Sequence, residues 1–234
     1  MARIVIIGGH GKVALRLARI PERGNEVTSV FRNADHTDDV ASTGANPVVA
    51  DIEKLDTGAL ADLLNGHDAV VFSAGAGGGN PARTYAVDRD AAIRVIDAAD
   101  QAGVRRFVMV SYFGAGPDHG VPQNNSFFPY AEAKAAADAH LRAGDLDWTV
   151  LGPGRLTLEP ATGRIAVGAP ARNGEVSRED VALVAAATLA DDSTIGRSIE
   201  FNNGDVPIPQ ALRVISNTQL VCRSRKVSAS SDAC

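Results

Sequence analysis

Apolar residues along this chain fall into short runs separated by longer amphipathic stretches. The first run is Ile4-Val5-Ile6-Ile7. Four consecutive β-branched residues predict a strand buried on both faces, as at the centre of a parallel sheet. Glycines follow at Gly8, Gly9 and Gly11, and from Lys12 the apolar positions Val13, Leu17 and Ile20 recur at helical spacing. Pro21 is expected to stop that helix near Ile20. Further strands are predicted at Glu26–Phe31, Pro47–Ala50, Ala69–Ser73, Phe107–Ser111, Trp148–Leu151 and, last, Ser198–Phe201. Helical patterns lie between them: one carrying Leu60, Leu63 and Leu64, one from Tyr85 to Ala102, one from Tyr130 to about Arg142, and one from Arg178 through Leu189. Strand and helix in regular alternation predict an α/β fold with a doubly wound parallel sheet. With no internal repeat and no second glycine fingerprint, residues 1–212 are expected to form one domain.

Composition narrows the class. The 234 residues carry a formal net charge of −5, with 45% hydrophobic and 22% charged residues. Such a chain can bury one substantial core, and its acidic balance without a basic stripe argues against nucleic acid as a partner. No apolar run approaches a membrane span and the N-terminus leads directly into a strand, so a cytoplasmic location is expected. Both cysteines, Cys222 and Cys234, lie near the C-terminus. The body therefore holds neither a disulfide nor a thiolate metal site, and no metal is expected. Residues 213–234 carry four Lys/Arg against one Asp, five serines and no glycine. This break in composition predicts a poorly ordered appendage.

Strand, glycine turn and helix in that order can cradle a phosphate. Glycines permit close backbone approach, and a helix N-terminus presents unpaired N–H groups. Gly8, Gly9, His10, Gly11, Lys12 and Val13 are the candidate pyrophosphate turn, with Ala14 where a third glycine would allow close helix–strand packing. Arg32 ends the second strand, where an arginine suits the 2′-phosphate of NADP and an acid would suit NAD. NADP is therefore the expected cofactor, with Lys12 adding charge nearby. Asp51, followed by Ile52, either accepts from the adenine amine or caps the following turn. Ser73, Ala74 and Gly75 leave the fourth strand at its carboxyl end, where a backbone can pass close to a bound ligand.

Tyr130 and Lys134 are four residues apart, which puts both on one helix face. They follow a strand ending in Ser111 and a long irregular loop over 112–129, a loop type more often found at an active-site rim than as a linker. A lysine ammonium one turn away, with the cationic oxidised nicotinamide, would lower the pKa of the tyrosine, and Ser111 would hydrogen-bond the reacting carbonyl oxygen. Phe127, Phe128, Leu156 and Leu158 suggest an apolar substrate pocket.

With these residues in place, the chain resembles the short-chain dehydrogenase/reductase superfamily in its atypical, NmrA-like branch. The markers are Gly8-x-x-Gly11-x-x-Ala14, Asp51-Ile52, Ser111, Tyr130-x-x-x-Lys134, Pro153-Gly154 and Arg178-Glu179-Asp180. The resemblance spans roughly residues 1 to 210. It implies a Rossmann domain with a small C-terminal substrate cap, Ser111, Tyr130 and Lys134 at the catalytic positions, and Pro153 and Gly154 beside the cofactor. Asp88 falls where the family's fourth catalytic residue is normally Asn. An ionised carboxylate accepts hydrogen bonds but cannot donate them, so this substitution bears on the proton relay.

The expected function is hydride transfer between NADP(H) and a small carbonyl or related acceptor, by a monomer or homodimer whose partner is a small molecule. Two alternatives use the same residues. One is a non-catalytic NADP(H) sensor, and the other an NAD(P)-dependent sugar epimerase or dehydratase, for which the short C-terminal third leaves little room.

Overall fold

The computed structural model describes residues 2–20, 25–168 and 174–213. Eleven strands alternate with helices among them. The central unit is a nine-stranded sheet in the order β11-β8-β10-β6-β5-β4-β1-β2-β3. Its members are β1 (Arg3–Ile7), β2 (Glu26–Phe31), β3 (Asn46–Val49), β4 (Ala69–Phe72), β5 (Arg106–Val110), β6 (Asp147–Pro153), β8 (Arg164–Val167), β10 (Arg197–Asn203) and β11 (Val206–Pro207). From β3 to β10 all neighbours run parallel, whereas β8 is antiparallel to both β10 and β11. A separate parallel pair joins β7 (Arg155–Thr157) to β9 (Glu175–Ser177).

The apolar runs produce this sheet because both of its faces are covered. In β1, Ile4 and Ile6 pack into one core with α1 (Ala14–Leu17) and α7 (Arg178–Leu189). Val5 and Ile7 point the other way, to α3 (Thr57–Leu64), α5 (Ala92–Gln101) and α6 (Phe128–Ala143). The strand order reverses between β1 and β4, so the carboxyl ends of those strands open a crevice, as in doubly wound sheets generally.

Several expectations shift. The helix begun near Lys12 is a single turn, with Val13 as its N-cap and without a side-chain cap. Arg19 and Ile20 bond back three residues to Arg16 and Leu17 rather than four, so the turn tightens before Ile20 is reached; Pro21 lies outside the described residues. The predicted helix from Tyr85 starts earlier, with α4 (Pro81–Thr84) capped by Asn80, then a π-helical segment (Tyr85–Ala91), then α5. The strand at 198–201 is not the last, because β11 follows it and adds to the C-terminal edge. The short strands β7, β8 and β9 and the helix α2 (Thr37–Ala41) were too brief to show a period. Of the expected appendage, residues 214–234 lie outside the described ones. Among the described residues, no helix is long and apolar enough to cross a membrane.

Candidate active site

At the switch point, β1 runs into Gly8, whose φ is +88°. Gly8 and Gly9 both donate backbone N–H to Val30 O, at 3.0 and 2.8 Å. A side chain at Gly8 would put its Cβ 2.5 Å from the Ala74 backbone, and one at Gly9 would meet the Ser29 side chain at 2.6 Å. These two glycines let three strand ends converge. Gly11 differs, since a Cβ there would stand 3.1 Å from Gly8 O and narrow the turn itself. The turn opens into a crevice of about 290 Å³ lined by Gly8, His10, Gly11, Arg32, Asn33, His36, Asp51, Ile52, Glu53, Arg83 and the loop from Ser73 to Gly75.

Most residues anticipated around a nucleotide therefore meet in one place, and the exceptions have physical reasons. Val13 is buried in the core beside Leu17, Gly9 is occupied by Ser29, and Lys12 is exposed outside the lining. Because α1 is only one turn long, it does not supply the dipole of a full helix. Asp51 makes the turn-capping contact, accepting from Glu53 N at 3.2 Å and pairing with Lys54, while it also faces the crevice. Arg32 is not a free cation. Its Nη1 bonds Glu53 Oε1 at 3.0 Å, and Arg83 reaches the same oxygen at 3.2 Å while holding Ala76 O. Opposite them, the His10 and His36 rings stack at 3.6 Å, with His10 on Asp39. Those three residues bring ligand-capable atoms within 4.8 Å of one another, but parallel stacked rings do not converge their lone pairs on one ion. Glu53, Arg83, Asn33 and His36 escaped the sequence reading. The only signals were their closeness in sequence to Asp51 and Arg32, and Arg83 had none.

The crevice offers a nucleotide a turn in which Gly8 and Gly11 carry no side chain, and two guanidiniums in its lining. A Cβ would crowd the turn at Gly11, and two guanidiniums share one carboxylate above it.

A second cavity, of about 650 Å³, lies at the carboxyl ends of β5 and β6 and is lined by Ser111, Tyr112, Phe127, Tyr130, Pro153 and Gly154 among others. Pro153 and Gly154, expected beside the cofactor, belong to this cavity. Tyr112, Phe127 and Tyr130 form a ring cluster with centroids 5.1 to 5.5 Å apart. Phe128 instead packs edge-on against His119, and Leu158 is exposed. Arg178, at the start of α7, fixes the far wall by donating to Leu156 O and Thr157 O.

Behind the cavity lies a buried charged layer. Lys134 is 1% exposed, Asp88 1% and Asp138 0%. Lys134 Nζ donates to Val110 O at 2.8 Å and to Met109 Sδ at 3.4 Å. Ser111 Oγ donates to Asp138 Oδ2 at 2.6 Å. Asp88 Oδ2 accepts from Ala76 N at 3.0 Å, which ties this layer to the crevice loop. Burial raises the pKa of both carboxyls, opposed for each by Lys134 among others, and burial lowers that of Lys134, opposed by both carboxyls.

Two expectations are corrected here. Lys134 does not lower the pKa of Tyr130. Burial first, then Asp88, Asp138 and Tyr112, raises it above the ordinary phenol range. The lysine charge is matched by two carboxylates, which leave their own negative field at the phenol. Nor does Ser111 offer its proton to the cavity, because Asp138 takes it. Asp88, by resemblance at the family's fourth catalytic position, is turned inward by the π-helical segment and buried. Asp138 was missed, although it continues the Tyr130–Lys134 stripe at four-residue spacing. Tyr112, its hydroxyl buried without a partner among the described residues and its pKa pushed up to about 12, first by burial and then by Asp138 and Glu132, was missed as well.

A mostly parallel sheet with this strand order and a glycine turn at its switch point define an NAD(P)-binding Rossmann protein. Residues 8–192 match the NAD(P)H-binding family, and the chain belongs to it. The uncharacterized sugar epimerase YhfK of Bacillus subtilis is 33% identical over 90% of this chain and 99% of its own length. Among solved structures, a Bacillus halodurans protein with the provisional name NAD-dependent epimerase/dehydratase is 32% identical, with a TM-score of 0.84 over 92% of this chain and all of that one. The oxidoreductase ylbE of Lactococcus lactis is 27% identical, with a TM-score of 0.81 over 92% and 97% of the two chains.

Proposed function

We propose that this protein is an NADP(H)-dependent oxidoreductase that reduces a small carbonyl or related acceptor, working in the cytoplasm. The observation that carries this reading is that two sites share one carboxylate. The crevice and the Ser111–Tyr130 cavity both lie at carboxyl ends of the parallel strands, and Asp88, which holds Ala76 N next to the crevice loop, also acts electrostatically on Tyr130 in the cavity. When bound, the nicotinamide would supply the hydride. Gly8, Gly11, Asp51 and Ile52 would hold the nucleotide, and Arg32 and Arg83 the 2′-phosphate. Tyr130 remains protonated at neutral pH and is the proton donor of the site, while the rings of Tyr112 and Phe127 pack against it. Lys134 acts from behind, balancing Asp88 and Asp138. The test is NADPH oxidation by the purified protein against a panel of carbonyls and quinones. Turnover that falls in the Tyr130→Phe variant is the expected result, and binding of NADPH without turnover on any member favours the sensor reading.

A second reading, NAD(P)-dependent epimerisation, is favoured by the names that the two Bacillus relatives bear. It predicts conversion of a sugar-like substrate with no net cofactor oxidation.

A further inference from the structure

A hydroxyl has one proton to donate and two lone pairs with which to accept. Ser111 spends its proton on Asp138 at 2.6 Å, so toward the cavity it presents lone pairs only. Asp138 is fixed by its place on α6, one turn beyond Lys134 and two beyond Tyr130. Several groups bear on it: Lys134 and Arg142 on its own helix, the latter at 3.9 Å, Asp88 from the π-helical segment through the shared lysine, and Tyr112 from the loop. Burial raises its pKa, and Lys134, the Ser111 hydrogen bond and Arg142 oppose that rise; as the carboxylate it can only accept the Ser111 proton.

We propose that Asp138 is a positioning residue that turns the Ser111 proton away from the cavity, so that Ser111 as acceptor and Tyr130 as donor select carbonyl substrates carrying an adjacent O–H or N–H group. This rests on the oxidoreductase reading above and names its substrate class. A bare ketone offers lone pairs to both residues. Against Tyr130 they are satisfied, but against Ser111 two acceptors face each other with no proton between them. Leaving buried polar groups unpaired costs more than an ordinary hydrogen bond gains. An α-hydroxy ketone satisfies both residues, since its carbonyl takes the Tyr130 proton and its hydroxyl donates to Ser111.

The matched probes are 3-hydroxy-2-butanone and 2-butanone, reduced with saturating NADPH. Wild-type protein should favour the hydroxy ketone in kcat/KM by about tenfold or more. Asp138→Asn should keep that ratio, because its amide oxygen still accepts from Ser111. Asp138→Ala and Ser111→Ala should bring it close to one, whatever the loss in absolute rate. Equal kcat/KM for the two ketones in the wild type, or an unchanged ratio in Asp138→Ala, overturns the proposal. A readout independent of turnover is the infrared difference spectrum of wild type against Asp138→Asn at neutral pH. An ionised carboxylate band supports the proposal, and a protonated carboxyl band overturns it. Failure of every carbonyl and quinone to oxidise NADPH overturns the oxidoreductase reading instead, while the infrared spectrum still decides the direction of the Ser111 proton.

Discussion

The two halves of the site handle charge in opposite ways. Around the crevice, Arg32 is half exposed and shares Glu53 with Arg83 at the rim, so partners can exchange at little cost. Beneath the second cavity, Lys134, Asp88 and Asp138 are sealed from water and each depends on the others. A charge at the rim can be given up to a ligand. A charge in the buried layer cannot be removed without stranding its neighbours, which suits a scaffold that must hold Ser111 and Tyr130 in fixed orientation.

Substitutions should expose that difference, and the largest effect belongs to the buried layer. Lys134→Met keeps the volume but leaves two carboxylates without their cation. It should cost about 3–5 kcal/mol of stability, the usual penalty for leaving buried charge uncompensated. Urea unfolding measures it, and a loss below about 1 kcal/mol would put Lys134 in the same class as the rim charges. Next, Tyr130→Phe removes only the transferable proton. It should lower kcat about a hundredfold or more with NADPH affinity nearly unchanged, so that a parallel rise in the cofactor Kd would mean that the two halves are not separable.

Acidity gives the third contrast. The folded chain holds protons on Asp88 and Asp138 at pH values where the unfolded chain, with carboxyls near 3.8, has lost them. Stability should therefore fall as pH rises from about 3.8 through the raised values, by at most about 1.4 kcal/mol per pH unit for each extra proton held. Urea midpoints across that window should show a flatter slope in Asp88→Asn than in the wild type. An identical slope would remove Asp88 from the layer. The smallest effects belong to the rim. Arg32→Asp should reverse the order of the NADP and NAD dissociation constants, weakening NADP by about tenfold, the low end for a charge-assisted bond at an exposed site. Glu53→Gln should tighten NADPH by about threefold by releasing both arginines. Fluorescence titration measures both variants, and weaker binding in Glu53→Gln would mean that the carboxylate orients the arginines for the phosphate.

Much of this was legible in the chain. The parallel sheet follows from runs such as Ile4–Ile7 and Ala69–Phe72, whose apolar residues have no polar alternate face and must be covered on both sides. The glycine turn followed from its place between strand and helix, and Tyr130 and Lys134 shared a face because four residues make about one helical turn. Less legible were the elements whose form depends on neighbours. The first helix stops after one turn, and a π-helical segment interrupts the helix that carries Asp88.

What the sequence determined by itself, then, was periodic: which residues form strands and helices, which side of each is apolar, and which short-range pairs align. What only the tertiary structure decided was the company each charge keeps. By pattern alone Asp88 reads as an ordinary helix charge, marked out only by the family resemblance, and Asp138 as one more charge a turn beyond Lys134. Asp138 lies one turn from Lys134 on α6, but Asp88 meets Lys134 only because the π-helical segment packs against α6, an encounter between residues 46 positions apart. Arg32, Glu53 and Arg83 likewise converge from the end of β2, a turn after β3 and the helix α4. Local pattern sets which face of an element is buried, but the sign of a pKa shift depends on which distant groups share that burial. That is why the tyrosine–lysine pair was found in the sequence while its electrostatics ran opposite to the expectation.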